Sequence, residues 1–476
     1  MIPEPTRPPA GFPLPWLHQN WIICLAALAL SPGLVQAKEF PADSARAIAK
    51  LAGQLRPGDS VVLSDGPWEN QVILFTAQGT AEKPITLRSQ TPGKAVLSGT
   101  SSLTVEGDHI VISGLTVRNG REATNGILLS GHHCRLTECS ITDSTYKFFV
   151  HLAGGENRMD HCYLAGKTSE SPTLQIEVGE TPNHHLVDHN HFGPRPPLGR
   201  NGGETMRVGY SWQSMSNSAT VVEQNLFDRC DGEIEVISNK SCENVYRQNT
   251  FLDCAGFLTL RHGNRCRVEG NFFLAHHKRG SGGIRVIGEG HTIVNNYIDG
   301  VAQGGMWITA GIPDSPLKGY FQAKDISIGF NTIVDCAGGC LELSAGLGTA
   351  GRTLLPKNII IANNVLSPRQ GQPLLKGTNT TDFTWAGNLT SAEPGPIPGL
   401  THADLKLQQA KDGLWRPGPD SPVRTAARGR LIPIKVDMDG QPRPQTPDVG
   451  ADQATEAVVT TRPLTSADTG PSWLRR

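Results

Sequence analysis

Residues 225–273 read NLFDRCDGEIEVISNKSCENVYRQNTFLDCAGFLTLRHGNRCRVEGNFF, and the repeat inside this stretch decides the fold. An asparagine followed two positions later by a phenylalanine occurs at Asn225-Leu226-Phe227, Asn249-Thr250-Phe251 and Asn271-Phe272-Phe273, at intervals of 24 and 22 residues. Outward from there the pattern recurs at Asn190-His191-Phe192, Asn295-Asn296-Tyr297, Asn331-Thr332-Ile333 and Asn363-Asn364-Val365. Degenerate copies stand at Cys139-Ser140-Ile141 and His161-Cys162-Tyr163. A base period of 22 to 24 residues, built from short apolar alternations with insertions in some coils, predicts an all-β solenoid, a right-handed parallel β-helix. A leucine-rich repeat would need a Leu-x-x-Leu-x-Leu spacing that is missing. In a β-helix equivalent residues of successive coils stack, so each turn asparagine is expected to adopt a left-handed conformation and bond its neighbours through its amide. Cys230, Cys254 and Cys336, each five residues after an asparagine of the repeat, are expected to share a buried stack.

The rest of the chain agrees with a solenoid. It has 476 residues, 38% hydrophobic, 18% charged and 6% aromatic, which excludes both a disordered chain and a multi-span membrane protein. Net charge is 43 minus 44, or −1, so no global basic field exists to bind nucleic acid. Residues 21–30 form an apolar run too short to span a bilayer. Val35-Gln36-Ala37 then places small residues where a signal peptidase cuts, so residues 1–37 are read as a signal peptide and the mature protein as periplasmic or secreted. Nine cysteines remain after that cut, an odd number that argues against a full disulfide framework. Residues 43–55 place Ile48, Leu51 and Leu55 on one helical face and read as an N-terminal capping helix. The solenoid domain is assigned to residues 38–395, and residues 396–476 to an irregular Pro-rich segment packed on it or trailing from it, with 455–476 partly loose. A monomer is expected.

Laying coils over one another exposes a candidate site, because residues one period apart share a face at the ~4.8 Å strand spacing. Gly232–Ile237, Gly256–Arg261 and Gly282–Ile287 are expected to stack. Ile234, Val236, Leu258, Leu260, Ile284 and Val286 then point inward, and Glu233, Glu235, Thr259, Arg261 and Arg285 outward. Arg207, between inward Met206 and Val208, joins the same strip, and Lys240 lies within a few positions of it. Paired carboxylates with a side-chain amide suit calcium, and Asn201, one coil earlier, offers the amide. By spacing alone, a solvated face of charge pairs explains the strip as well.

Four segments at these positions resemble polysaccharide lyase family 6, the alginate lyase and chondroitinase B family. They are Asn201-Gly202-Gly203-Glu204-Thr205-Met206-Arg207-Val208-Gly209, Glu233-Ile234-Glu235-Val236-Ile237-Ser238-Asn239-Lys240-Ser241, Leu260-Arg261-His262-Gly263-Asn264 and Gly282-Gly283-Ile284-Arg285-Val286-Ile287-Gly288. The similarity extends over about residues 40–390. It implies a right-handed parallel β-helix that cleaves uronate polysaccharides by β-elimination, with Lys240 as base, Arg261 as its acid partner, and calcium held by Asn201, Glu233 and Glu235. His262, Arg285, Arg207 and Tyr210 are candidate binders of the anionic substrate.

The chemistry suits those residue types. The proton on C5 of a uronate is hardly acidic beside an ionised carboxylate, so a divalent cation must neutralise that group. Lys240 serves as base only when uncharged, a state that neighbouring cations favour. Arg261 holds its proton too tightly to be a good donor and reads better as an electrostatic stabiliser. Alginate is the favoured substrate. Dermatan sulfate, a uronan C5-epimerase, whose Asp-Pro-His-Glu motif is missing, and a non-catalytic polysaccharide-binding solenoid are the alternatives. The histidines around Asp188 (His184, His185, His189, His191) and the Asp437-Met438-Asp439-Gly440 turn are read as structural rather than metal-binding.

Overall fold

The computed structural model describes residues 36–428 and 432–475, so the proposed signal segment lies almost wholly outside the described residues. Three long parallel sheets, two of 14 strands and one of 12, run the length of the molecule, and each coil contributes one short strand to each sheet in turn. This is the right-handed parallel β-helix expected from the repeat. A helix at Ala45–Leu51, N-capped by the Ser44 hydroxyl and burying Ile48, closes the N-terminal end as predicted. No helix among the described residues is long and apolar enough to cross a membrane.

The asparagine repeat is a continuous buried ladder. Asn190, Asn225, Asn249, Asn271, Asn296, Asn331, Asn364 and Asn388 follow one another. Each side-chain Nδ2 donates to the Oδ1 of the next at 2.9–3.0 Å, and each backbone N–H donates to the same oxygen. Two sequence expectations shift by one residue. The rungs in the later coils are Asn296 and Asn364, not Asn295 and Asn363, and the left-handed conformation falls on the residue before each rung. His189, Gln224, Gln248, Asn295, Phe330 and Asn363 carry φ of 52–57° there, and Gly270 and Gly387 62° and 65°. The preceding residue makes the corner, which frees the rung asparagine to point inward and satisfy both neighbours.

Two positions along, Phe192, Phe227, Phe251 and Phe273 stack with centroids 4.8, 4.7 and 4.5 Å apart. The nine cysteines among the described residues are buried, as expected, and none of them is bonded to another there. The Cys230 N–H approaches Cys254 Sγ at 3.4 Å, but Cys336 does not continue that pair, since His276 and Val301 hold the fifth position after Asn271 and Asn296.

Beyond the last coils the Pro-rich segment turns back and runs along one 14-stranded sheet toward the N-terminus. Trp415 bonds Tyr297, Arg443 bonds Asn295, Leu464 bonds Thr250, Gly470 bonds His189, and Trp473 bonds Glu138. Leu414, Met438 and Ala451 cover Phe272 and Tyr297, which would otherwise be exposed aromatics on the sheet's outer face. Residues 464–473 are therefore anchored rather than loose. In the Asp437–Asp439 turn, Asp437 Oδ1 accepts from the Asp439 and Gln441 N–H groups, and the Arg416 guanidinium pairs with Asp412, Asp439 and Asp452.

Asn271→Ala strands the Asn249 N–H, the Asn249 amide and the Tyr246 carbonyl in the interior. At about 1–3 kcal/mol per unsatisfied buried group, it should lower unfolding free energy by several kcal/mol in denaturant titration. An exposed control, Gln370→Ala, should move the midpoint little.

Candidate active site

The 12-stranded sheet presents one row of outward residues in which His151, Gln175, Arg207, Ser238, Thr259, Arg285 and Trp307 occupy equivalent positions on successive coils. The predicted stacking of Leu258 on Ile284 and Leu260 on Val286 is correct. The coil carrying the carboxylates was placed three residues out of register. Ile237, not Ile234, pairs with Leu258, and Ile234 is exposed rather than inward. A bulge between Glu235 and Ile237 accounts for one of the three residues, and the other two arise earlier, because Glu235 lies ten residues after its rung Asn225 whereas its partner Phe257 lies eight after Asn249. Ser238 thereby takes the outward place in the row, and Glu233 and Glu235 sit at the entry of the strand Glu235–Lys240.

Three carboxylates meet there. Glu204, Glu233 and Glu235 each offer an oxygen, all within 4.8 Å of one another, and Glu204 and Glu235 are buried. Glu204, which belongs to the quoted segment around Asn201, was not singled out from the sequence. Asn201 itself is exposed on the same loop, next to Gly202, whose N–H donates to Glu233 Oε2 at 3.1 Å. Glu204 Oε2 and Glu233 Oε1 are buried with no hydrogen-bond partner. Burial and the charges of Glu204 and Glu235 push Glu233 up to about 7, against the pull of the Gly202 and Gly203 N–H groups. A hard divalent cation fits this donor set: it takes oxygen ligands and would satisfy both orphaned oxygens.

Five cationic or imidazole side chains surround the carboxylates. Lys240 Nζ lies 3.6 Å and Arg207 Nη1 3.7 Å from Glu204 Oε1; Arg285 Nη1 lies 3.5 Å and Arg261 Nε 4.0 Å from Glu235 Oε1. Lys240 stands beside a carboxylate as well as beside cations, which the sequence did not reveal. Glu235 is further held by the Ser238 hydroxyl at 2.5 Å. His262 is buried, with Nδ1 3.4 Å from Arg261 Nη1 and Nε2 without a partner. Burial, with Arg261 and Lys240 adding to it, drives its pKa down to about 3, so it is a neutral imidazole at working pH.

The second residue missing from the sequence reading is Tyr320, on the loop after the strand Gly304–Thr309. Arg261 lies 4.0 Å, Arg352 4.6 Å and Arg285 5.6 Å from its ring centroid. Arg261 also donates from Nη1 to the Gly319 carbonyl at 2.8 Å and from Nη2 to that of Lys318 at 3.4 Å. Burial raises the tyrosine's pKa, but the charges of Arg261 and Arg285 outweigh it, and the net direction is downward. Burial likewise lowers that of Arg261. No periodic signal could have found Tyr320, because it reaches the groove through a long insertion between coils.

All nine sequence candidates thus fall on or beside one groove, with Lys240, Arg261, His262, Arg285 and Arg207 converging on the carboxylates and Tyr210 adjoining Arg207. The histidines around Asp188 make separate contacts. His189 pairs with Asp188 and stacks on His161, while His185 accepts the Asn157 N–H inside the solenoid.

Residues 42–417 match the family model described as Chondroitinase B. The PL6 family alginate lyase AlyGC is 33% identical, with a TM-score of 0.77 over 89% of this chain and 59% of that one, so the present chain spans less than two thirds of AlyGC. A mannuronic acid specific polysaccharide family 6 lyase from human gut microbiota is 34% identical, with a TM-score of 0.70 over 77% of this chain and 91% of that one. A PL6 family polysaccharide lyase from Pseudopedobacter saltans, 24% identical with a TM-score of 0.72 over 91% of this chain and 99% of that one, shares the fold. No curated protein matches the chain. The extent of the family match, and the 34% identity across nearly the whole of the gut enzyme, establish that the chain belongs to the Chondroitinase B family, polysaccharide lyase family 6.

Proposed function

We propose that this protein is an exported polysaccharide lyase that cleaves alginate by β-elimination with the help of calcium. The observation that carries the reading is the convergence of Lys240, Arg207, Arg261 and Arg285 on three crowded carboxylates, two of whose buried oxygens lack partners. A solvated face of charge pairs would not bury such a set. Family membership favours a uronate polymer, and the 34% identical mannuronic acid specific neighbour supports alginate over dermatan sulfate.

A bound Ca²⁺, held by Glu204, Glu233 and Glu235 with Asn201 adjacent, would supply neutralisation of the uronate carboxylate and so acidify the C5 proton. The side chains do the rest. Arg207 and Arg285 bind the anionic chain from either side of the centre, and neutral His262 contributes a hydrogen bond without adding charge. Lys240 removes the C5 proton through its unprotonated amine, and the C4–O4 bond breaks as the C4=C5 double bond forms. Arg261, immobilised by two carbonyls and the Tyr320 ring, stabilises the negative charge developing on O4, which water then protonates.

Incubation with alginate should generate ultraviolet absorbance from the C4=C5 bond, fastest on mannuronate-rich polymer. An epimerase or a binding solenoid would produce none. Lys240→Ala should cut kcat by about 10²–10⁴ and Arg261→Ala by about 10²–10³, with folding intact by circular dichroism.

Chelation should abolish turnover and added calcium restore it. In thermal unfolding, calcium at 100 times its Kd should stabilise the protein by about 2.7 kcal/mol, an effect that Glu204→Gln and Glu233→Gln remove. Equal stability and activity with and without chelator would refute the metal.

Tyr320→Ala should lower kcat about tenfold by freeing Arg261, while Tyr320→Phe, which keeps the ring, should retain most activity. N-terminal sequencing of exported protein should begin at Lys38.

A further inference from the structure

Beside Arg207, the turn that follows its strand carries an aromatic surface. The chain leaves the strand Met206–Val208 through Gly209, at φ 84° and so close to the next coil that a Cβ there would lie 2.7 Å from the Lys240 carbonyl oxygen. Tyr210 follows, and then a single 3-10 turn, Ser211–Gln213. The rings of Tyr210 and Trp212 stack with centroids 4.3 Å apart and planes within 11°, and the Arg207 guanidinium lies 4.9 Å from the Tyr210 centroid. Three planar groups therefore rise in series from the floor of the groove to its rim, where Trp212 is 60% exposed.

This turn is anchored at both ends. Gln213 Nε2 donates to the Val178 carbonyl at 2.6 Å, and Asn264 Nδ2, two residues beyond His262, lies 3.7 Å from Met215 Sδ. The loop thus runs beside Lys240 and ends against the coil of His262. Glu177, near this turn, is turned to His151 at 3.1 Å. An indole held open to water forfeits burial free energy, and here it is fixed in that position by its stacking partner rather than left to find cover.

We infer that the Tyr210–Trp212 stack is a saccharide-binding subsite. It takes the pyranose ring of a uronate unit next to the one being cleaved: Trp212 packs against the C–H face of the sugar, and Arg207 pairs with its carboxylate. An aromatic plane suits the apolar face of a pyranose, and a guanidinium in the same stack suits the acid on its edge. This inference rests on the reading of the groove as a polyuronate lyase site and adds a chain-length requirement to it, since only oligosaccharides long enough to reach from Lys240 to Trp212 gain the contact.

The test is binding of size-defined oligomannuronates to full-length protein carrying Lys240→Ala, followed by calorimetry and tryptophan fluorescence, with Trp212→Ala and Trp212→Phe added in turn. Trp212→Ala should weaken binding of the longer oligomers about five- to thirtyfold and leave the shortest bound oligomer unaffected, and Trp212→Phe should recover most of the loss. In the active enzyme the same substitution should raise KM on polymer more than it lowers kcat. Equal affinity of Trp212→Ala and its parent for every length, in a protein whose wild type cleaves alginate, overturns the subsite alone. A wild type that neither binds nor cleaves any uronate polymer overturns the subsite and the lyase reading together.

Discussion

From Asn190 to Asn388 each coil hands a hydrogen bond to the next through one buried asparagine, and the strands that carry the functional side chains are stacked on that ladder. The rung amide satisfies a backbone N–H and a side-chain donor of its neighbour, and no water is available inside to replace it. Adjacent coils are thereby held in register at the rung itself. The groove lies on a different sheet, and that sheet absorbs irregularity, such as the bulge at Glu235, without disturbing the ladder. Rigid stacking behind and local deformation in front is the arrangement a preorganised site needs.

The electrostatics of the groove divide unevenly. Glu204 has Lys240 and Arg207 beside it, and Glu235 has Arg285 and Arg261. Glu233 has only the backbone N–H groups of the Gly202 loop, and burial with its two acidic neighbours raises its pKa. A charge deficit at one corner of an otherwise balanced cluster is what a divalent cation corrects.

The C-terminal segment solves a different problem. The outer faces of a solenoid built from aromatic-rich turns would expose Phe272 and Tyr297, and the returning chain covers them with Leu414, Met438 and Ala451. Its proline content suits an extended path that forms few bonds with itself. The half-buried Arg416 with Asp412, Asp439 and Asp452 clamps its own turns together. The groove is on another sheet, so the strap bears on the stability of the coils rather than on the chemistry.

The parallel coils, the capping helix, the buried cysteines and the strip holding Arg207, Lys240, Arg261, His262 and Arg285 were all legible in the amino-acid sequence. The reason is physical: stacking at one strand spacing makes residues a period apart into neighbours, so a linear repeat is already a spatial map. Counting fails wherever the period is broken locally. A longer approach from the rung left Ile234 outside the strand, a bulge after Glu235 shifted the rest by one more residue, and adjacent asparagines at 295–296 and 363–364 disguised which of them was the rung. Only the folded chain brought Glu204 under Lys240, carried Tyr320 over Arg261 from an insertion, and stacked Trp212 on Tyr210. Those contacts depend on how loops of unequal length lean across the face of the sheet, which packing decides and no repeat encodes.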